Sequence, residues 1–305
     1  MKIDKNIRNK KKELLDYFRG RANEILSELS GKFPETEFKE KSKEINHAMA
    51  QSRDNLINIL LNTAQNKRWT NKEILESILI ITYTSDVVML ETRNEVWEYE
   101  FMSFSRRIGE LWEPFCKLCF QYPIKSIELF VPPLFSEVKK NLTNEIDTYI
   151  DGLKLKKEEK DRLRRYYEKV WGLVTSGEIK LECDLHFSDG TNKYIVDFKS
   201  GFGSNEKGNT NRLLLVGSIY SNIEDETYKC LIFVRSTDNN HYLDTLKNSG
   251  VWDTYCGKDT YERIKQFSGF DIHGWIMKNV DWLSDFSESM KKTITNNNLT
   301  EYLKW

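Results

Sequence analysis

Alternating apolar and polar residues mark the most informative stretch of the chain. From residue 179 to residue 187 every second position is apolar, which is the period of a β-strand. Ser188, Asp189 and Gly190 then form a turn signal, and residues 194–199 alternate again. The pattern predicts a β-hairpin whose strands each carry polar side chains on one face.

Apolar residues recur every three to four positions over most of the remaining chain, which predicts helices. The predicted helical segments are 6–30, 37–64 (one or two helices), 74–89, 98–120, 134–150, 157–175, 242–248, 261–267 and 275–286. Thr70 and Glu73 have the spacing of a capping box in front of the third segment. Residues 229–234 read as an apolar strand, and residues 213–220 as a short buried helix or strand.

These elements predict an α/β fold, with a small mixed sheet flanked by helices. We expect a helical N-terminal region over residues 1–95, serving dimerisation, DNA contact or simple covering of the core. The region over residues 96–305 would hold the sheet and the chemistry.

Chemically reactive residues meet at one end of the predicted hairpin. Ile195, Asp197 and Lys199 share a face of the second strand, which ends in a glycine-rich loop. Asp184 lies on the facing strand, close enough in a paired hairpin to share a divalent cation with Asp197. Two carboxylates suit Mg²⁺, which completes its shell with water and phosphate, and a lysine beside them can polarise the attacking water. The alternative is an ordinary edge hairpin with a surface ion pair.

The set Asp184, then Asp197-Phe198-Lys199, resembles the PD-(D/E)XK nuclease superfamily, and most closely its type II restriction endonucleases. Cys183 stands where the family often has proline. The resemblance spans about residues 97–276. It implies a restriction-endonuclease-like core, Mg²⁺ as cofactor, and Asp184, Asp197 and Phe198 as metal-binding positions. It also implies Asp184, Asp197 and Lys199 as catalytic residues.

Nucleases of this superfamily often supply a further carboxylate from a helix before the sheet. Glu110, or else Glu113, in the helical segment 98–120 resembles that element and is a further candidate catalytic residue. The alternative for Glu110 is an intrahelical pair with Arg106, four residues earlier.

A polar segment rich in glycine and asparagine, residues 200–212, follows the hairpin. Such a loop beside a metal site can contact a phosphodiester backbone through main-chain N–H groups and polar side chains. Lys207, Asn209 and Arg212 are the candidate DNA-binding residues. A plain surface loop is the alternative.

Composition argues against some classes of protein but does not indicate a function. The chain has 46 basic and 47 acidic residues and a formal charge of -1, so no overall basic field announces a nucleic-acid partner. Five scattered cysteines do not form a disulfide framework, and Cys116 and Cys119 fit core packing better than zinc. The lysine-rich start is not followed by an apolar segment, and no run is long enough to span a membrane, so we expect a cytoplasmic protein.

The function expected from these features is a Mg²⁺-dependent type II restriction endonuclease. It would hydrolyse double-stranded DNA at a specific sequence and leave 5′-phosphate ends. One candidate site per chain and two strands to cut favour a homodimer. The alternatives are a non-catalytic nucleic-acid-binding or interaction protein on the same fold, and a repair or junction-resolving nuclease.

Overall fold

The computed structural model describes residues 3–34, 36–174, 179–203, 206–223 and 227–305. In these ranges helices surround a five-stranded mixed sheet, which confirms the α/β class. The helices are α1 (Lys11–Ser30), α2 (Phe38–Asn66), α3 (Asn71–Val96), α4 (Phe101–Gln121), α5 (Phe135–Gly152), α6 (Lys157–Val174), α7 (Lys207–Ser221), α8 (His241–Asn248), α9 (Lys258–Ser268), α10 (Ile272–Asn279), α11 (Trp282–Asp285) and α12 (Glu288–Asn296). The strands are β1 (Glu128–Leu129), β2 (Leu185–Ser188), β3 (Lys193–Lys199), β4 (Tyr228–Val234) and β5 (Trp252–Cys256).

Helix α3 lies at the centre of the helical part. Nearly all its side chains from Leu75 to Asn94 are buried, because α1, α2 and α4 pack around it. A helix that is apolar on most sides is expected to be enclosed in this way. The predicted capping box begins it: Thr70 Oγ1 accepts from Glu73 N, and Thr70 N donates to Glu73 Oε2 at 2.9 Å.

The strands lie in the order β1-β2-β3-β4-β5. The pairs β1–β2 and β2–β3 are antiparallel, whereas β3–β4 and β4–β5 are parallel. Parallel neighbours need crossover connections, which α7 and α8 provide. The C-terminal ends of the parallel strands β3, β4 and β5 therefore lie at the same edge of the sheet.

The two faces of the sheet enter different hydrophobic clusters. Val196 and Phe198 face α4, α9 and the N-terminal helices, in one continuous cluster that also holds residues of α1 to α3. Ile195 faces α7 and α8. The predicted alternation along β3 is therefore confirmed, and Asp197 lies on the α7 side. The division at residue 95 stays a prediction.

The first predicted strand is wrong over residues 179–184, since β2 begins only at Leu185. Side chains, not a neighbouring strand, take the backbone groups of this segment. Tyr220 Oη donates to Leu181 O at 3.1 Å, Arg212 Nη1 to Glu182 O at 3.3 Å, and Cys183 N donates to His186 Nε2 at 3.3 Å. These side-chain bonds, two of them from α7, replace the ladder that a paired strand would form.

The predicted loop over residues 200–212 is also wrong in its second half. Helix α7 begins at Lys207, so Lys207, Asn209 and Arg212 lie on its first two turns. Burial of Leu213 and Val216 against the sheet holds the helix despite its weak helix-forming start. Residues 204 and 205 lie outside the described ranges.

Two elements near the C-terminus differ from the prediction. Residues 252–256 form strand β5, and the helix predicted over 275–286 is divided between α10 and α11. The predicted single helix is interrupted at Asp281, because Asp281 Oδ1 accepts from Ser284 N at 3.1 Å and caps α11. Among the described residues no helix combines the length and apolarity that membrane crossing requires.

Candidate active site

Asp184 and Asp197 are brought together where β2 stops and β3 continues. The last pair between the two strands is Leu185 with Val196, so the next backbone groups of β3 have no strand partner on that side. Asp184 Oδ2 accepts from Phe198 N at 2.7 Å and takes the place of the missing strand. The hairpin thus delivers both carboxylates to one end of β3, as the sequence predicts.

His186 fixes the bend that carries Asp184. Its ring is buried, and its Nε2 accepts the hydrogen bond from Cys183 N. Burial lowers the pKa of His186 to about 4, against a smaller opposing effect of Glu182, so the ring is neutral near pH 7 and can act as an acceptor. His186 is therefore a buried, hydrogen-bonded residue that positions Asp184.

Asp197 is a buried carboxylate, 1% exposed. Its Oδ1 accepts from Arg212 Nη2 at 3.2 Å, and its Oδ2 lies 2.6 Å from Lys199 Nζ. Each oxygen of Asp197 therefore has one cationic partner. Burial raises the pKa of Asp197 to about 6; Lys199 opposes the shift and Asp184 adds to it.

Lys199 is the last residue of β3 and is held firmly there. Its backbone O accepts from Arg235 N at 2.9 Å, and the next carbonyl, of Ser200, accepts from Ser236 N at 3.1 Å. Burial alone would lower the pKa of Lys199, but the charge of Asp197 outweighs this and raises it. Lys199 is therefore an ammonium ion over the neutral pH range.

Helix α4 brings Glu113 to this strand end. Gly109, one turn earlier, lets the helix approach β3, since a Cβ there would lie 2.6 Å from Ser200 Oγ. Trp112 packs edge-on against Phe198, with ring centroids 5.7 Å apart. Burial and the charge of Asp184 raise the pKa of Glu113, against the opposing charges of Lys117 and Lys199.

Glu110 points elsewhere. Its carboxylate accepts from Arg106 Nε at 2.7 Å and from Arg107 Nη1 at 3.3 Å, and its side chain is 41% exposed. The intrahelical pair considered from the sequence is therefore present. Glu113 is the acid of α4 that interacts electrostatically with Asp184, and the packing of α4 against β3 is what distinguishes it from Glu110.

The predicted DNA-binding residues divide into two groups. Lys207 is exposed at the start of α7. Arg212 is an internal partner of Asp197, and it also donates to Asn209 Oδ1 at 3.4 Å. Asn209 in turn donates to Glu206 Oε2 at 3.1 Å. The sequence did not reveal that Arg212 belongs to the carboxylate cluster, because the helical start of α7 was not predicted.

The donor set fits a hard divalent cation such as Mg²⁺. Asp184 and Asp197 offer carboxylate oxygens, and Lys199 Nζ is the partner of the buried Asp197 Oδ2 among the described residues. Lys199 O faces β4, so the backbone groups of Phe198 face the Asp184 side, which makes its carbonyl a third oxygen donor. No group of three or more His, Cys, Asp or Glu side chains suited to a metal occurs among the residues described. Mg²⁺ needs only one or two carboxylates.

Comparison with known proteins gives no match for this chain among family models, curated proteins or solved structures. The PD-(D/E)XK assignment therefore depends on the motif and on the geometry around β3.

Proposed function

We propose that the protein is a Mg²⁺-dependent type II restriction endonuclease that hydrolyses double-stranded DNA at a specific sequence and leaves 5′-phosphate ends. This proposal rests on three side chains that meet at the C-terminal end of β3, those of Asp184, Asp197 and Lys199. A buried acid beside a second acid and a lysine is costly for the fold, and such arrangements are typical of catalytic sites.

The topology supports the same assignment. An antiparallel pair, β2–β3, carries the acids, and β3 continues into a parallel pair with β4 through the crossover helix α7. This agrees with the small mixed sheet expected from the sequence. The fold alone does not define an activity, so the side chains at the strand end carry the proposal.

Each residue has a distinct chemical task in this proposal. Asp184, Asp197 and the Phe198 carbonyl hold Mg²⁺, which supplies Lewis-acid activation of the scissile phosphate and of water. Lys199 carries a positive charge and cannot serve as the general base. It orients the attacking water and stabilises the negative charge that develops on the phosphate. Arg212 and Lys199 also limit repulsion between the two acids before the cation binds.

DNA is the proposed partner, and Lys207 at the exposed start of α7 is placed to meet a phosphate there. The first N–H groups of a helix attract anions, which favours contact of this helix end with the backbone of DNA. Two cuts with one candidate site per chain require two chains, so we propose a homodimer.

The direct test is incubation of the purified protein with phage DNA and Mg²⁺, with EDTA as control. Discrete bands that appear only with Mg²⁺ would support a restriction endonuclease. A smear or structure-dependent cutting would favour a repair or junction nuclease. Binding without cutting across a panel of DNAs would favour a non-catalytic protein, and efficient cutting in EDTA would exclude the metal mechanism.

A further inference from the structure

Another buried carboxylate, that of Asp86, lies in helix α3, away from the hairpin. Asp86 on α3 is 2% exposed, and it is the only charged residue between Ser77 and Leu90. Within the described ranges its carboxylate makes no hydrogen bond and has no cationic side chain within 4.0 Å. Burial raises the pKa of Asp86 to about 7, with Arg53 and Arg107 opposing the shift. A carboxylate without partners in a protein interior is costly, so its position calls for a function.

Asp86 lines a cavity of about 410 Å³ between α2, α3 and α4. The volume is within the range of about 300–1,000 Å³ that is usual for small-molecule sites. Apolar side chains, among them Ile78, Leu111 and Phe115, share the lining with polar ones. The cavity therefore suits a partly apolar ligand that offers hydrogen bonds to Asp86.

Thr82 adds a second polar group on the same wall. It lies four residues before Asp86, so both side chains share one face of α3. Thr84 and Thr92 on the same helix donate to the carbonyl oxygens of Ile80 and Val88. Thr82 makes no such bond in the described structure, although it is buried. Its hydroxyl is free to donate to a ligand or to accept from it.

Two ion pairs lie at the rim of the cavity. Arg53 and Lys117 line it, and each is paired at the rim with an acid of its own helix, Asp54 at 2.9 Å and Glu113 at 3.3 Å. A cationic ligand at Asp86 would meet the positive fields of Arg53 and Arg107. A ligand fits better if uncharged hydrogen-bond donors face Asp86 and an anionic group lies outside the cavity, near Arg53 and Lys117.

We propose that this cavity binds a guanine base, with the Asp86 carboxylate accepting from N1–H and the 2-amino group. The ionised carboxylate of Asp86 has two acceptor oxygens and no donor, and among the DNA bases guanine alone presents two adjacent donors on its Watson–Crick edge. The Thr82 hydroxyl donates to O6, and the phosphate lies at Arg53 and Lys117. The ligand is either a free guanine nucleotide or a guanine turned out of a nucleic acid.

The location relates the cavity to the candidate active site without depending on it. Pro114 and Lys117 on its rim follow Glu113 on α4 within about one helical turn. A guanine extruded from bound DNA would therefore lie beside the proposed cleavage site. The binding of a free nucleotide is independent of any nuclease activity, so this proposal stands or fails separately.

Titration calorimetry with dGMP and dAMP at pH 8.5, where Asp86 is ionised, tests the site on the full chain. We expect wild-type protein to prefer dGMP, and Asp86→Asn to weaken its binding about 10-fold or more, because the amide removes one acceptor and the charge. Asp253→Asn, on the exposed part of β5 and away from the cavity, is the matched control and should retain the preference. Asp86→Asn preserves volume and removes a buried charge, and thermal unfolding checks that it folds. Equal binding of the two nucleotides, unchanged dGMP binding by Asp86→Asn, or tighter binding of benzamidine than of dGMP would overturn the proposal.

Two short duplexes separate the sources of guanine, one with a single-guanine bulge and one with a single-adenine bulge. Binding of dGMP without discrimination between the duplexes assigns the site to a free nucleotide. Guanine-dependent duplex binding that Asp86→Asn removes assigns it to nucleic acid. Failure of both dGMP binding and duplex discrimination would contradict the assignment.

Discussion

At the scale of single residues, ionised Asp197 lowers the stability of the folded protein near neutral pH. The folded state raises the pKa of Asp197 to about 6 from an ordinary value of 3.8, so the protonated acid is favoured there. The contribution of Asp197 to stability is fully present below pH 3.8 and is lost as pH rises through about 6. Above that pH the ionised acid lowers the free energy of unfolding unless a cation compensates it.

The variant Asp197→Asn should therefore be more stable than the wild type at pH 8 without metal. Two pKa units correspond to up to about 3 kcal/mol, with the loss of the Lys199 and Arg212 contacts reducing the gain. Urea unfolding at pH 8 measures it, and Asp253→Asn on the exposed part of β5 is the control. Mg²⁺ should stabilise only proteins that keep Asp197. A large destabilisation by Asp197→Asn would contradict this account of the site.

His186 gives a second test because it acts through the position of Asp184. His186→Leu leaves the Cys183 N–H without its acceptor and should cost about 1–3 kcal/mol in the free energy of unfolding. It should also weaken Mg²⁺ binding. His186→Gln keeps an acceptor near the Nε2 position and should restore both. Chemical unfolding and Mg²⁺-dependent thermal shifts measure the two effects, and equal behaviour of both variants would refute the positioning role.

At the scale of elements, the close approach of α4 to β3 determines the geometry of the site. Gly109 permits it, because a side chain there would meet Ser200 immediately after Lys199. Glu113 reaches the acids only if this approach is kept.

Gly109→Ala should displace the strand end or the helix and lower DNA cleavage by about 10-fold or more while the protein still folds. Gly20→Ala on α1 is the matched control, since no atom lies within 4 Å of the added methyl group. That control should stabilise the protein by about 0.5–1 kcal/mol and leave cleavage unchanged. Equal cleavage by the two variants, in assays with Mg²⁺, would show that the approach is unimportant.

Sequence patterns predicted an element correctly where the local preference of its residues agrees with the contacts they make in the fold. Strands β3 and β4 and the capping box of α3 follow from alternation and from Thr70–Glu73. The extended segment before Leu185 could not be predicted, because Tyr220 and Arg212, from a distant helix, take its backbone bonds. The pairing of Asp197 with Arg212 depended on the same unpredicted helix, and Glu113 could be separated from Glu110 only by the packing of α4.

At the scale of the whole molecule, the central question is how the proposed nuclease, with one candidate site per chain, would cut two strands. A two-fold dimer matches a symmetric DNA site, since each chain then cuts one strand. Helix α3 joins the N-terminal helices to the sheet through one hydrophobic cluster, so the chain would enter such a dimer with its helical region attached to the core.

Light scattering on the free protein and on its DNA complex should give the mass of two chains of 36.1 kDa each. Ca²⁺ should support formation of that complex without cleavage, because it binds carboxylates but orders the attacking water poorly. A single-chain mass in both samples, together with concerted double-strand cleavage, would exclude the dimer.

The most direct test of the account is single-turnover cleavage by variants at the end of β3. Asp184→Asn, Asp197→Asn and Lys199→Met should each lose about 100-fold or more in cleavage rate with Mg²⁺ while still binding DNA in Ca²⁺. Asp253→Asn and Lys229→Met, on exposed positions of β5 and β4, should cut at the wild-type rate. Wild-type cleavage by any of the three site variants would contradict the assignment of the active site.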